Sequence, residues 1–212
     1  MANETPGIPA HRFLPFVALA ALAVAFPITG MFIPPPGILN ILIRITGIAG
    51  ALCLILALVS SAFVKQIFKA THHPFKQIHH LLAISGAVLI TLHPLLLAWQ
   101  MKTLKFFIPV INSWPEFLSW GGRVGIILIY LAILAAVIMK KIPAFWRQFH
   151  WLMYPGLLLG GIHALRLGQD ITSLVAKSLT WGLLGLIVIV FIYKRLRKPP
   201  VTKTKVVTQT PV

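Results

Sequence analysis

The chain has 212 residues, of which 58% are hydrophobic and only 10% charged, and its mean hydropathy is +0.90. This composition excludes a soluble globular domain and is that of a polytopic membrane protein. The net charge of +16 raises nucleic acid as a partner. However, the basic residues stand in the gaps between apolar runs and form no patch interleaved with aromatic residues, so the expected partner is a lipid bilayer and no nucleic acid is expected.

A helix needs about 20 mostly apolar residues to cross the hydrocarbon core. Six stretches meet this requirement in chain order: 13–33, 41–64, 78–101, 119–139, 149–168 and 173–193. None alternates as a barrel strand would, so the expected fold is all-α, a polytopic bundle of six transmembrane helices. The expected organisation is a cytoplasmic N-terminus at 1–12, a transmembrane domain at 13–193 and a disordered basic cytoplasmic tail at 194–212. That tail is too short and polar to bury a core, and no soluble catalytic domain is expected on it. The run FLPFVALAALAVA after Arg12 also suits a cleaved leader, but apolar sequence continues to Ile33 and favours a retained helix.

The cations orient the bundle. Lys65, Lys69 and Lys76 fall in one gap, Lys140, Lys141 and Arg147 in another, and Lys194, Arg195, Arg197, Lys198, Lys203 and Lys205 in the tail. With six spans these segments share a side, which the positive-inside rule makes the cytoplasmic face of the cell membrane, with both termini on it. Cys53 is the only cysteine and lies inside an apolar run, which excludes a disulfide framework, a thiolate zinc site and an iron–sulfur ligand set.

FKQIHHL, residues 75–81, is echoed by WRQFHWL, residues 146–152. The alignment matches Lys76 with Arg147, Gln77 with Gln148 and His79 with His150. Upstream of each copy an apolar helix opens with an arginine and glycines, RITGIAG from Arg44 and RVG from Arg123. Helices two and three are therefore expected to recur as helices four and five in the same orientation. Parallel repeats pack about an axis along the membrane normal, which would bring His79 near His150 and His93 near His163.

Fourteen residues separate His79 from His93, which in a regular helix leaves them about 40° apart on one face and about 21 Å apart along the axis. His80 stands about 140° from His93, so phase and register both select His79. The 13 residues from His150 to His163 would splay a straight helix, and Pro155 with Gly156, Gly160 and Gly161 offers a bend. Four imidazoles at two depths, each pair from different helices, make two axial-ligand pairs for heme b. With both axial positions filled by protein, such an iron is suited to passing single electrons. A lone intramembrane histidine more simply hydrogen-bonds a neighbouring helix; the matched depths and the repeat argue against that for these four. His72, His73 and His11 read as solvated or interfacial side chains, and His80 as an interfacial one.

Heme propionates are anionic and need cations. Lys76 and Arg147 stand beside the inner pair, and Arg44, Arg123 and Arg166 towards the outer side; the plainer role for all five is snorkelling to headgroups. Trp99, Trp114, Trp120, Trp146 and Trp151 read as an interfacial aromatic belt.

IHHLLAISGAVLITLHPLLLAW (78–99), followed by WRQFHWLMYPGLLLGGIH (146–163), resembles the ferric reductase-like transmembrane domain, the heme-binding part of ferric reductases and NADPH oxidases. It is also similar to the small membrane heme subunit that supplies electrons to a periplasmic methionine sulfoxide reductase. The specific part of the likeness is the histidine spacing of 14 and 13. The resemblance implies two b hemes, His79 with His150 on the inner and His93 with His163 on the outer. Ferric reductases and NADPH oxidases usually carry a C-terminal flavin and nicotinamide domain, so here flavin is expected only on a partner. The methionine sulfoxide reductase subunit is short in the same way but typically lacks the histidine matching His79.

The expected function is transmembrane electron transfer by a di-heme cytochrome b, an oxidoreductase component. Its donor would be a separate cytoplasmic protein or quinol, and its acceptor at the outer face a ferric chelate, oxygen or a periplasmic oxidoreductase. One rival is a metal or proton transporter lined by the same histidines, against which Glu4, Glu116 and Asp170 are the only acidic residues and none lies deep in a helix. Another is an assembly or anchor subunit without redox chemistry.

Overall fold

The structure is a computed structural model that describes residues 37–72 and 74–196. The expected helix at 13–33 and the chain beyond Leu196 lie outside the described residues. Among those described, all regular structure is helical: α1 Ile38–Ser60, α2 Val64–Thr71, α3 Phe75–Met101, a 3-10 turn at Lys105–Phe107, α4 Trp114–Ser119, α5 Gly121–Val137, α6 Trp146–His150, α7 Met153–Leu167 and α8 Leu174–Leu196. Three of these, α1, α3 and α8, are long and apolar enough to cross a membrane, and α5 is a shorter apolar helix.

Local chemistry moves several boundaries away from the apolar runs. The run at 41–64 stops as helix at Ser60, where the hydroxyls of Ser60 and Ser61 donate to the carbonyls of Ala57 and Leu58 and occupy the acceptors of the last turn. The chain then turns into α2, which is amphipathic, with Ile67 buried and Lys65 and Lys69 exposed. Ser113 caps α4 by accepting from the backbone N–H of Glu116 at 3.4 Å, so the run at 119–139 is preceded by a separate short helix. At the other end α8 continues past residue 193 through Lys194 and Arg195 to Leu196. Those two side chains are held by neighbours described below, which accounts for ordered helix where a disordered tail is expected.

The run at 149–168 is interrupted at Trp151 and Leu152. Pro155 has no N–H to donate back to Trp151. Around the break Leu152 donates to Phe149 and Tyr154 to Trp151, both three residues back, before Gly156 resumes the four-residue pattern with Leu152.

The helices pack as α1 along α3 and α5 along α7, with α8 lying against α7 and α1. Their common core is built from Leu54 and Leu58 of α1, Ile129 of α5, Leu157 of α7 and Leu183 and Ile187 of α8. α3 turns Leu81, Ile84, Val88, Leu92, Leu95 and Trp99 outward, spaced three or four residues apart so that they form one apolar stripe. An apolar face of this size suits lipid as its solvent. The threonines within the helices satisfy themselves: Thr46, Thr91 and Thr180 each donate to a carbonyl one turn back. Among the described residues no buried side-chain nitrogen or oxygen lacks a partner, as a medium without water requires.

Candidate functional site

The four histidines selected from the sequence share one local arrangement. His79 on α3 bonds through Nδ1 to the carbonyl of Ala57 on α1 at 3.0 Å, and His93 on the same helix bonds through Nδ1 to Ile43 at 2.8 Å. His150, the last residue of α6, bonds through Nδ1 to Ala132 on α5 at 3.0 Å, and His163 on α7 bonds through Nδ1 to Ser119, the last residue of α4, at 2.6 Å. A carbonyl only accepts, so each neutral ring carries its proton on Nδ1 and leaves Nε2 with a free lone pair. This is the arrangement by which a backbone carbonyl orients a metal-ligating histidine.

Glycines let the rings approach. A Cβ on Gly47 would lie 2.8 Å from Nδ1 of His93, and one on Gly122 would lie 2.8 Å from Cδ2 of His163. Both distances are too short for any side chain, so the two imidazoles occupy space that only glycine leaves open.

The contacts recur along the chain at a nearly constant offset. Ala57 with His79 has its counterpart in Ala132 with His150, Ile43 with His93 in Ser119 with His163, and Gly47 with His93 in Gly122 with His163. Leu54 against Gly86 is matched by Ile129 against Gly156. The first partner moves by 75 or 76 residues and the second by 70 or 71.

His79 and His150 lie within electrostatic reach of each other, as do His93 and His163. The break at Trp151 and Leu152 falls between His150 and His163 and changes the phase between them. Residues wound at three per turn advance about 120° each instead of about 100°, so each one recovers about 20° of the splay that 13 regular residues would impose.

His93 and His163 line a cavity of about 550 Å³ that runs between the two halves, within the roughly 300–1,000 Å³ typical of small-molecule and cofactor sites. Gly47, Gly122, Arg44 and Arg123 also face it. Arg44 is held by Asp170, in the loop between α7 and α8: its Nε donates to Oδ2 at 2.8 Å and its Nη2 pairs with Oδ1. Asp170 is buried at 7% exposure. Arg123 donates through Nη1 to the carbonyls of Lys105 and Ile108 at 3.0 and 2.9 Å and stacks 4.3 Å over the Trp120 ring, pinning the 102–113 connection across this end of the cavity. Arg166 donates to the Ser119 hydroxyl at 3.4 Å.

At the opposite end Lys76 and Arg147 are exposed, Arg147 lying 5.5 Å over Trp146. His80 is exposed as well. Two residues assigned by sequence only to the tail are also anchored at this end. Lys194 donates to the Ser61 hydroxyl at 3.0 Å, and Arg195 lies 3.8 Å over the Trp151 ring. Their position depends on how α8 crosses the bundle, which no local pattern in the tail encodes. Among the described residues no three of His, Cys, Asp and Glu converge as a metal-ligand group.

Among the described residues all regular structure is helical, three helices are long and apolar enough to cross a membrane, and four histidines are each held by a backbone carbonyl, two of them beside a cavity. Compared with protein families, with curated proteins and with solved structures, the chain matches none.

Proposed function

We propose that the protein is a di-heme membrane cytochrome b that carries electrons across the bilayer from a cytoplasmic or quinol donor to an acceptor at the outer face. The observation that supports this best is the shared hydrogen bond of His79, His93, His150 and His163, each with Nδ1 tied to a backbone carbonyl and Nε2 left to ligate. Four histidines oriented alike, two in each half, are more than helix-to-helix hydrogen bonding requires.

The residues fit heme on two further counts. A protein site for a bare transition-metal ion supplies about four ligands, whereas two facing imidazoles suit an iron whose other positions are filled by a macrocycle. Gly47 and Gly122 keep the cavity wall beside His93 and His163 free of side chains. His79 and His150 would hold the inner group, His93 and His163 the outer. A heme held by these residues would supply one-electron redox chemistry. Arg44 and Arg123 face the outer group's cavity; Arg44 is neutralised by Asp170, whereas Arg123 is held by uncharged partners and keeps its charge for an outer propionate.

The recurring contacts support a duplicated helical hairpin, α1 and α3 repeated as α5 and α6–α7. On this reading the membrane domain comprises six spans, including the run at 13–33, and sits in the cell membrane with three basic groups inside: Lys65, Lys69 and Lys76; Lys140, Lys141 and Arg147; and the cations from Lys194 onward. The reading resembles the ferric reductase-like domain in ligand pattern, with the donor flavin on a separate partner.

The test is the reduced-minus-oxidised spectrum of purified protein from heme-replete cells. A low-spin b-type spectrum with about two hemes per chain is expected. Heme-free protein that moves metal ions or protons in liposomes would replace this reading with the transporter.

A further inference from the structure

The last turn of α8 stands over the inner end of the bundle and touches both halves. Lys194 reaches the hydroxyl of Ser61, and Arg195, the next residue, reaches the ring of Trp151. Ser61 caps the C-terminal end of α1, about one turn beyond Ala57, whose carbonyl holds His79. Trp151 directly follows His150. The two cations therefore straddle the inner histidine pair, one attached to each half.

Charge in this region is unbalanced. His79 has His150, His80 and Lys194 within electrostatic reach. Among the described residues the acidic side chains are Glu116 and Asp170, and both lie towards the other end, where Asp170 engages Arg44. Lys194 is exposed, and the bond to Ser61 occupies one of the three donors of its ammonium group.

We propose that α8 completes the inner site, with Lys194 binding a carboxylate of the macrocycle held between His79 and His150, and with Arg195 fixing the turn by stacking on Trp151. This deepens the heme reading above and rests on it. An ammonium group at this place would favour the reduced state of the iron, because a nearby positive charge repels the more positive oxidised state. It also neutralises a carboxylate that would otherwise stand in apolar surroundings.

The experiment uses full-length purified protein carrying His163→Ala, so that only the inner heme is titrated, and compares potentiometric midpoints with heme content. Lys194→Met and Lys194→Gln are each expected to shift the reduction equilibrium towards the oxidised form by about tenfold, or about 59 mV for one electron. Lys194→Gln keeps a donor for Ser61, so an equal shift in both variants assigns the effect to charge. Lys194→Arg should retain the original midpoint, and Lys65→Met, which alters another cation on the same face, should leave it in place. An unshifted midpoint in both neutral variants, or an equal shift in Lys65→Met, overturns the inference while leaving the heme reading intact. Wild-type protein without heme overturns both.

Discussion

His93 rests against Gly47 so closely that a Cβ on that glycine would stand 2.8 Å from the imidazole Nδ1, the atom that donates to the carbonyl of Ile43. Gly47→Ala must therefore push the ring away and break the bond that orients it. Overpacking of this kind costs about 1–3 kcal/mol. Thermal unfolding in detergent should fall accordingly, and the ratio of Soret to protein absorbance should drop. Gly185→Ala, where nothing lies within 4 Å of the added methyl, should be neutral or stabilise by up to about 1 kcal/mol.

The two histidine pairs should be separable. His163→Ala is expected to remove the outer heme and keep much of the inner one, His79→Ala the reverse, and His80→Ala neither, since His80 is exposed while His79 holds Ala57. Pyridine hemochrome content with potentiometry distinguishes the variants. Retention of full heme in both His79→Ala and His163→Ala would remove these residues from the ligand set.

Arg44 and Asp170 form a charge pair across 126 residues of chain, tying the α7–α8 loop to α1. Removing one partner of a buried pair leaves a charge without its counterpart and costs about 3–5 kcal/mol. Asp170→Asn should therefore lower stability strongly. The double variant Arg44→Met with Asp170→Leu should recover most of the loss, because an apolar pair of similar volume carries no desolvation penalty. A melting series of the two single variants and the double variant decides this.

Thr91 and Tyr130 share a hydrogen bond of 2.6 Å between α3 and α5 on an exposed face. Such bonds between membrane helices average only about 0.6 kcal/mol. Tyr130→Phe is accordingly expected to change stability by less than either variant above, and to leave heme content unaltered. A loss as large as that of Asp170→Asn would mean that this bond joins the two halves more firmly than its exposure suggests.

Much of the helical framework is legible along the chain. The helices Ile38–Ser60, Phe75–Met101 and Leu174–Leu196 overlap the apolar runs at 41–64, 78–101 and 173–193, because in lipid a backbone with no water to bond must bond to itself. Breaks were harder to place. The end of α1 at Ser60 depends on two serine hydroxyls competing for carbonyls, and the division of α6 from α7 depends on Pro155 and on how the chain tightens before it. Hydropathy averages over such details.

The candidate histidines were legible for a different reason. An imidazole in an apolar run is costly unless something satisfies it, so its presence there is informative wherever it occurs. What satisfies it was not legible: the carbonyls of Ile43, Ala57, Ser119 and Ala132 are backbone atoms that every residue type possesses. The same holds for Arg44. Its helix position drew attention to it, but its carboxylate partner sits in a loop 126 residues away.

By itself the sequence determined that this chain is helical and built for lipid, and it singled out the polar residues within the apolar runs, because solvent preference and helical period are properties of consecutive residues. Tertiary structure alone decided that Asp170 closes on Arg44, that Gly47 and Gly122 receive the rings of His93 and His163, and that Lys194 and Arg195 reach over the inner end. Those relationships join segments far apart in the chain, and only the packing of one helix against another brings their atoms within reach.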